Sequence, residues 1–428
     1  MHFDDVLEQI GEGIFQKFAI FVCGLAVLAE AIATASVPFA MILASCDLKI
    51  STDHILGLNA IFLLGTLISG YWLGGICDIS GRKYILSTTS IITFVACFVA
   101  SFAQCIIMLF TSLFILGLGL GGSHGATRVF VIEITPKSYR GSRFVTLEVF
   151  FAVGYASAVG LSTLLVPPLA SNLLGNYVRL NSWRVLFGLS GSLSIFSACL
   201  MSVFPASPRW LLGKKQEENA IDVLRKIYAI NNVKHEESFP VKLIMLNIWL
   251  GLAVFADDSR NCTLNGASLA TKDPYKDICN SVELENLFKT NAYFALCSFV
   301  VCILMFVVDR IPRKMILMFS SIASGVSSVV FAFVHVNIVR TVLAYVLLSF
   351  IYMAEIVFRI ILFESYPTVL RSTAYGFIKI FSKIVLTTMI FLLKIDCVWA
   401  FTIFGCLFVC VGCLSYLLRN LNLNAMED

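Results

Sequence analysis

The sequence predicts an all-α membrane protein of twelve transmembrane helices in two six-helix pseudo-symmetric bundles. Three observations predict it: apolar runs of bilayer length, basic residues gathered in alternate loops, and two motifs repeated at one offset. Of 428 residues 58% are hydrophobic and 14% charged, against roughly 25% charged in soluble domains. Lipid is therefore the expected solvent for most of the surface.

A helix needs roughly 20 apolar residues to cross a hydrocarbon core of about 30 Å. Runs near that length fall at 18–44, 55–76, 84–104, 106–132, 144–167, 183–204, 241–256, 291–308, 315–335, 339–363, 373–393 and 397–418. The seventh is the shortest and would sit tilted or against protein. The acidic opening MHFDDVLEQIGEGIFQK lacks the basic start and small-residue cleavage site of a signal peptide, so the first run is expected to stay as a span.

Short cytosolic loops carry the excess of Lys and Arg. Arg82 and Lys83, then Lys137, Arg140 and Arg143, then Arg209, Lys214, Lys215, Arg225 and Lys226, then Arg310, Arg313 and Lys314 fill alternate loops. Both termini are thus expected in the cytosol. The expected divisions are a cytosolic segment 1–17, a bundle 18–204, a linker 205–240 read as a solvated tether, a second bundle 241–418 and a tail 419–428. The loop 257–290 would lie outside the cytosol, where Asn261 heads an Asn-Cys-Thr glycosylation pattern and Cys262 could pair with Cys279, Cys46 being a third candidate. Most other cysteines, Cys410 and Cys413 included, fall in apolar runs and are expected to pack as small hydrophobes.

The repeat is the most specific signal. Asp78, Arg82 and Lys83 in DISGRK recur as Asp309, Arg313 and Lys314 in DRIPRK, 231 residues later. Glu133, Pro136 and Arg140 recur at the same 231-residue offset as Glu364, Pro367 and Arg371. A six-helix unit written twice explains both, and parallel repeats of this kind can rock about a site near the membrane midplane.

The stretch GGICDISGRKYIL resembles the signature loop of the major facilitator superfamily. LGLGLGG, PASPRWLL, ESYPTVLR and GEGIFQ resemble the subgroup of synaptic vesicle 2-related proteins and organic ion transporters, and the short first loop is similar to the synaptic-vesicle branch. Pro312 in place of glycine, Ala206 in place of glutamate, and a shortened linker and seventh span depart from that pattern. The resemblance implies a gating role for Asp78, Gly81, Arg82, Lys83, Glu133 and Arg140, and for Asp309, Arg313, Lys314, Glu364 and Arg371. Anchoring by positive charge alone would account for the basic members but not for Asp78 or Glu133.

Ionised groups at the bilayer centre cost roughly 2.5–3.5 kcal/mol and normally meet a partner or an aqueous cavity. Glu30, Glu355, Arg359, Lys379 and Lys383 are the substrate-binding candidates. Glu30 could take a proton or a cationic group, or serve as a structural carboxylate. Glu355 and Arg359 share a helix face and could simply pair, as Lys383 could with Glu355. Lys383 also sits where organic anion transporters resemble one another in carrying a basic residue, which tilts the expectation toward an anionic or zwitterionic solute. His124 and Arg128, four apart, add a candidate cationic wall. Glycines 117, 119, 121 and 122 are expected to serve close helix packing.

Secondary transport of a small organic solute by alternating access is the expected function, with a proton or Na+ as candidate coupling ion and membrane lipid as the other partner. A non-transporting vesicle scaffold or receptor, and an organic cation or sugar transporter, are the alternatives. No enzyme motif or cofactor site is expected: GxxxxGK and HExxH are absent, and the five histidines are too scattered for a metal. Nothing suggests nucleic acid. A monomer in the plasma membrane or a secretory vesicle membrane is expected.

Overall fold

The computed structural model describes residues 3–48, 52–165, 182–232, 281–306, 311–334, 337–366, 371–376, 378 and 397–415. Before the linker lie α1 (Phe3–Ile10), α2 (Ile14–Leu48), α3 (Thr52–Ser80), α4 (Arg82–Ser101), α5 (Ile106–Ile134), α6 (Arg140–Leu165) and α7 (Ser182–Ser202). Two shorter helices follow, α8 (Pro208–Gly213) and α9 (Glu217–Asn232). Then come α10 (Ser281–Leu304), α11 (Arg313–Phe333), α12 (Asn337–Ser365) and α13 (Cys397–Ser415). Among the described residues, nine helices are long and apolar enough to cross a membrane. The seventh expected span and all but the start of the eleventh fall outside the described residues.

The helices turn apolar side chains outward as well as inward. Trp72, Ile107, Val203, Leu304 and Trp399 are all exposed, and only hydrocarbon makes such a surface favourable. Small residues hold the interior together. A Cβ on Gly117 would collide with the Phe62 carbonyl, and one on Gly65 with the Phe114 carbonyl, so α3 and α5 touch backbone to backbone. The same principle joins the two helix groups, where a Cβ on Gly376 would strike the Gly70 carbonyl. Elsewhere α2 packs on α6 and α7, α11 on α12 and α13, and α10 of the second group lies against α6 of the first.

Two expectations need correcting. The described part of 205–240 is no solvated tether: α8 and α9 pack on each other and on α5 and α2, burying Leu211, Ala220, Leu224 and Ile227. An amphipathic helix with an apolar stripe gains more by docking that stripe than by waving in water. Helix α1 also docks, with Val6, Leu7 and Ile10 buried in the same cluster. Finally, Cys199, Cys406, Cys410 and Cys413 are free thiols on outward faces rather than core packers, because lipid accepts a thiol as readily as the interior does.

Candidate functional site

Two polar assemblies stand out in this apolar molecule. The first is at one end of the bundle, where α3 turns into α4 through Gly81. Its φ of +97° lies in the left-handed region that favours glycine, and a Cβ there would meet the Trp210 ring from α8 at 3.2 Å. That turn places Asp78 and Arg82 one helical turn apart, and they pair at 2.9 Å. The Arg82 guanidinium also reaches Glu133 at the end of α5, at 3.0 Å. Glu133 accepts from the Ser207 hydroxyl at 2.6 Å, and Ser207 caps α8 by accepting from the Trp210 amide at 3.3 Å. The indole Nε1 of Trp210 donates to the Asp78 carbonyl at 3.1 Å.

From the second helix group, Thr373 closes the assembly. Its amide and hydroxyl donate to Asp78 Oδ2 at 3.0 and 2.8 Å. One aspartate therefore ties both groups and the linker together.

The repeat is visible in side-chain geometry too. Arg140 Nε donates to the Thr135 carbonyl and Arg371 Nε to the Tyr366 carbonyl, both at 3.3 Å and both five residues back. The copies differ at the turn. Pro312, the counterpart of Gly81, has φ −55° and opens α11 without the left-handed turn. Arg313 and Lys314 lie half-buried in the first turn of α11, as Lys83 does in α4. Asp309 and the Glu364 side chain are outside the described residues.

Helix α1 locks onto this end. Asp4 pairs with Arg140 and with Arg209 at 3.1 Å, Glu8 accepts from the Ser138 amide and hydroxyl, and Glu12 binds Arg143. Burial alone would raise the Asp4 carboxyl, but the guanidiniums of Arg209 and Arg140 outweigh it and hold it below its ordinary value of 3.8. A carboxylate depressed on folding contributes stability that is full above its unfolded value and is lost as pH falls through the folded one. Docking of α1 should therefore persist down to about 3.8 and loosen only below it. Hydrogen exchange of amides 3–10 across an acid titration checks this, and release at mildly acidic pH would contradict it.

The second assembly lies at membrane depth. Glu30 on α2 binds His124 and, at 3.5 Å, Arg128, both on α5. Arg128 Nε binds Glu148 on α6 at 2.8 Å, and the same oxygen accepts from Arg359 on α12 at 3.2 Å. Arg359 also pairs with Glu355. Charge alternates from α2 to α12, crossing from one helix group to the other, and every one of these carboxylate and guanidinium side chains is at most 7% exposed. His124 further stacks on Tyr375 of the second group, 5.7 Å between ring centres. Beside Glu355 lies a small pocket of about 20 Å³ between α6, α10 and α12, lined by Phe151, Tyr155, Phe294, Ser298, Tyr352 and neighbouring apolar residues.

Of the substrate-binding candidates, Glu30, Glu355 and Arg359 thus fall in one network, while Lys379 and Lys383 lie outside the described residues, as do Asn261, Cys262 and Cys279. Arg128 is wholly buried on Glu148 rather than reaching the end of its helix. The sequence reading missed Glu148. Five residues beyond Arg143, it passes for part of a charged helix start, and the signal that could have found it is the need of Arg128 for a carboxylate. It also missed Asp4, Ser207, Trp210 and Thr373, whose partners are distant in the chain.

The sequence matches the family described as sugar (and other) transporter over residues 18–246, more than half the chain. The chain belongs to that family. Synaptic vesicle glycoprotein 2B of Mus musculus is 28% identical over 232 residues, which cover 54% of this chain and 34% of the relative. Synaptic vesicle glycoprotein 2A of Rattus norvegicus is 26% identical over 230 residues, covering 54% and 31%. The chain thus aligns to about a third of the length of these relatives. Among solved structures, the proton:xylose symporter XylE bound to 6-bromo-6-deoxy-D-glucose matches with a TM-score of 0.69 at 14% identity, covering 94% of this chain and 96% of that one. An inward open form of the xylose transporter from E. coli matches at 0.61 and 15%. At such identity the likeness establishes the fold, which is that of the major facilitator superfamily, in an integral membrane protein related to the synaptic vesicle 2 group.

Proposed function

We propose that the chain is a secondary transporter that carries a small organic zwitterion or anion by alternating access between its two helix groups. The observation that carries this reading is Glu148, one carboxylate held by an arginine from each group and linked through Arg359 to Glu355, which lines a small aromatic pocket. Buried ion pairs at membrane depth are costly unless they do something that packing cannot. Contacts of this kind can break and re-form as one group rocks on the other.

In this reading 18–204 and 241–418 are the rocking bodies, joined by 205–240. The basic end faces the cytosol, and both termini lie there. Asp78, Gly81, Arg82, Lys83, Glu133 and Arg140, with Asp309, Arg313, Lys314, Glu364 and Arg371, form the gate on that side. Glu355 faces a cationic group of the solute, while Lys379 and Lys383, four apart in sequence, supply the counterpart for an anionic group. The Glu30 and His124 pair can take up a coupling proton. Likeness to synaptic vesicle glycoproteins supports a vesicle-type membrane.

A sugar is the second reading, favoured by the family description and by the xylose transporters among the structural relatives. Uptake into proteoliposomes separates the two when the panel holds labelled zwitterions, organic anions, organic cations and sugars. Saturable zwitterion or anion uptake is expected, with Glu355→Gln lowering zwitterion uptake about tenfold, the worth of one charge-assisted contact. Sugar uptake alone would establish the second reading. A folded protein that moves none of the panel would sink both.

A further inference from the structure

Among the described residues, several arginines gather at the end of the bundle that holds Asp78. Arg82 is committed to Asp78 and Glu133. Among the described residues, Asp4 is the carboxylate paired with both Arg140, at 2.5 Å, and Arg209, at 3.1 Å. Arg371 is close enough to depress Asp4 as well. Arg371 itself is 2% exposed, and its Nε and Nη2 both turn to the Tyr366 carbonyl, while Nη1 has no hydrogen-bond partner. Burial and the neighbouring charges of Arg209, Arg140 and Arg82, partly offset by Glu133, bring its guanidinium down from 12.5 to about 9. Among the described residues three guanidiniums therefore lie around Asp4, with Glu133 a further carboxylate near Arg371, and Arg371 keeps a buried donor unused, which is costly to leave unpaired.

The carboxylate that sits there is easily withdrawn. Helix α1 is 8 residues long, well short of the ~12–15 an isolated helix needs, so only docking keeps it formed. The Asp4 side chain is 28% exposed, which leaves a way in from solvent.

We propose that Arg140, Arg209 and Arg371 form a binding site for a phosphate-type anion, free or on a lipid headgroup, in which Asp4 of the N-terminal helix is a tethered stand-in. A phosphomonoester brings a charge of about −1.5 to −2 and three acceptor oxygens. It suits the planar forks of several arginines better than one carboxylate does. Its arrival expels Asp4 and frees α1 from the gate-side assembly. Binding is measured directly, so the proposal stands or falls apart from the transport reading.

The test uses the full chain in phosphatidylcholine nanodiscs titrated with sodium phosphate, and a second set of nanodiscs containing phosphatidylinositol 4-phosphate. Saturable binding is expected in one arm, with faster hydrogen exchange at amides 3–10. Saturation with sodium phosphate assigns the site to a soluble anion, and saturation only with the phospholipid assigns it to a headgroup. Asp4→Asn removes the internal competitor and should tighten binding about tenfold. Arg371→Gln should abolish it, and Arg209→Gln, at a more exposed position, serves if Arg371→Gln does not fold. Absence of binding in both arms for wild type and Asp4→Asn overturns the proposal. So does binding that neither arginine variant weakens, or that leaves exchange at 3–10 unchanged.

Discussion

Replacing Glu148 with alanine is expected to cost the folded protein about 3–5 kcal/mol, the range for removing one partner of a buried ion pair. Glu148 is fully buried, and one of its oxygens serves Arg128 at 2.8 Å and Arg359 at 3.2 Å. Without it, Arg128 keeps the longer contact to Glu30 and Arg359 keeps Glu355, but the charge joining the two helix groups is gone. Glu148→Gln, close in shape, should lose nearly as much, because the missing element is charge and not volume. Thermal unfolding of the purified protein in detergent, followed by tryptophan fluorescence, measures the loss. If both variants melt with the wild type, the network contributes nothing to holding the groups together. In transport assays both should be close to inactive.

Asp78→Asn is expected to open the gate-side end. The carboxylate now accepts from Arg82 through one oxygen and from the Thr373 amide and hydroxyl through the other. An amide has one acceptor oxygen, so its NH2 must face either the guanidinium or the Thr373 donors. Loss of one charge-assisted contact, about 1.5 kcal/mol or more, shifts a two-state equilibrium roughly tenfold. Cys77 is a native reporter: it is 1% exposed, and the Ser372 hydroxyl of the other group contacts its sulfur at 3.6 Å. Alkylation of Cys77 by a membrane-impermeant maleimide, read by peptide mapping, should accelerate about tenfold in Asp78→Asn. An unchanged rate would remove Asp78 from the gate.

The nine described spans were legible because lipid imposes one simple demand, a long uncharged run, and nothing in the tertiary structure can waive it. Arg140 and Arg371 show that the repeat was legible for the same kind of reason, since each side chain answers a carbonyl five residues away in its own segment. Glu355 and Arg359 were legible as a pair because one helical turn separates them. Glu148 was not, because its partners lie 20 and 211 residues away and no local pattern points to them. The linker helices were not legible as docked elements because their hydrophobic faces are short and acquire meaning only against their neighbours, helix α1 among them.

The sequence by itself determined the class of protein: a membrane-embedded bundle of helices, written twice, with ionisable groups placed where lipid does not tolerate them unpaired. Only the tertiary structure decided which of those groups meet, that one carboxylate serves arginines of both helix groups, and that the N-terminal helix folds back to pair Asp4 with Arg140 and Arg209. The physical reason is range. Hydropathy and helical spacing act within a few turns of chain, whereas charge pairing in a low-dielectric interior is settled by whichever side chains packing brings within about 3 Å.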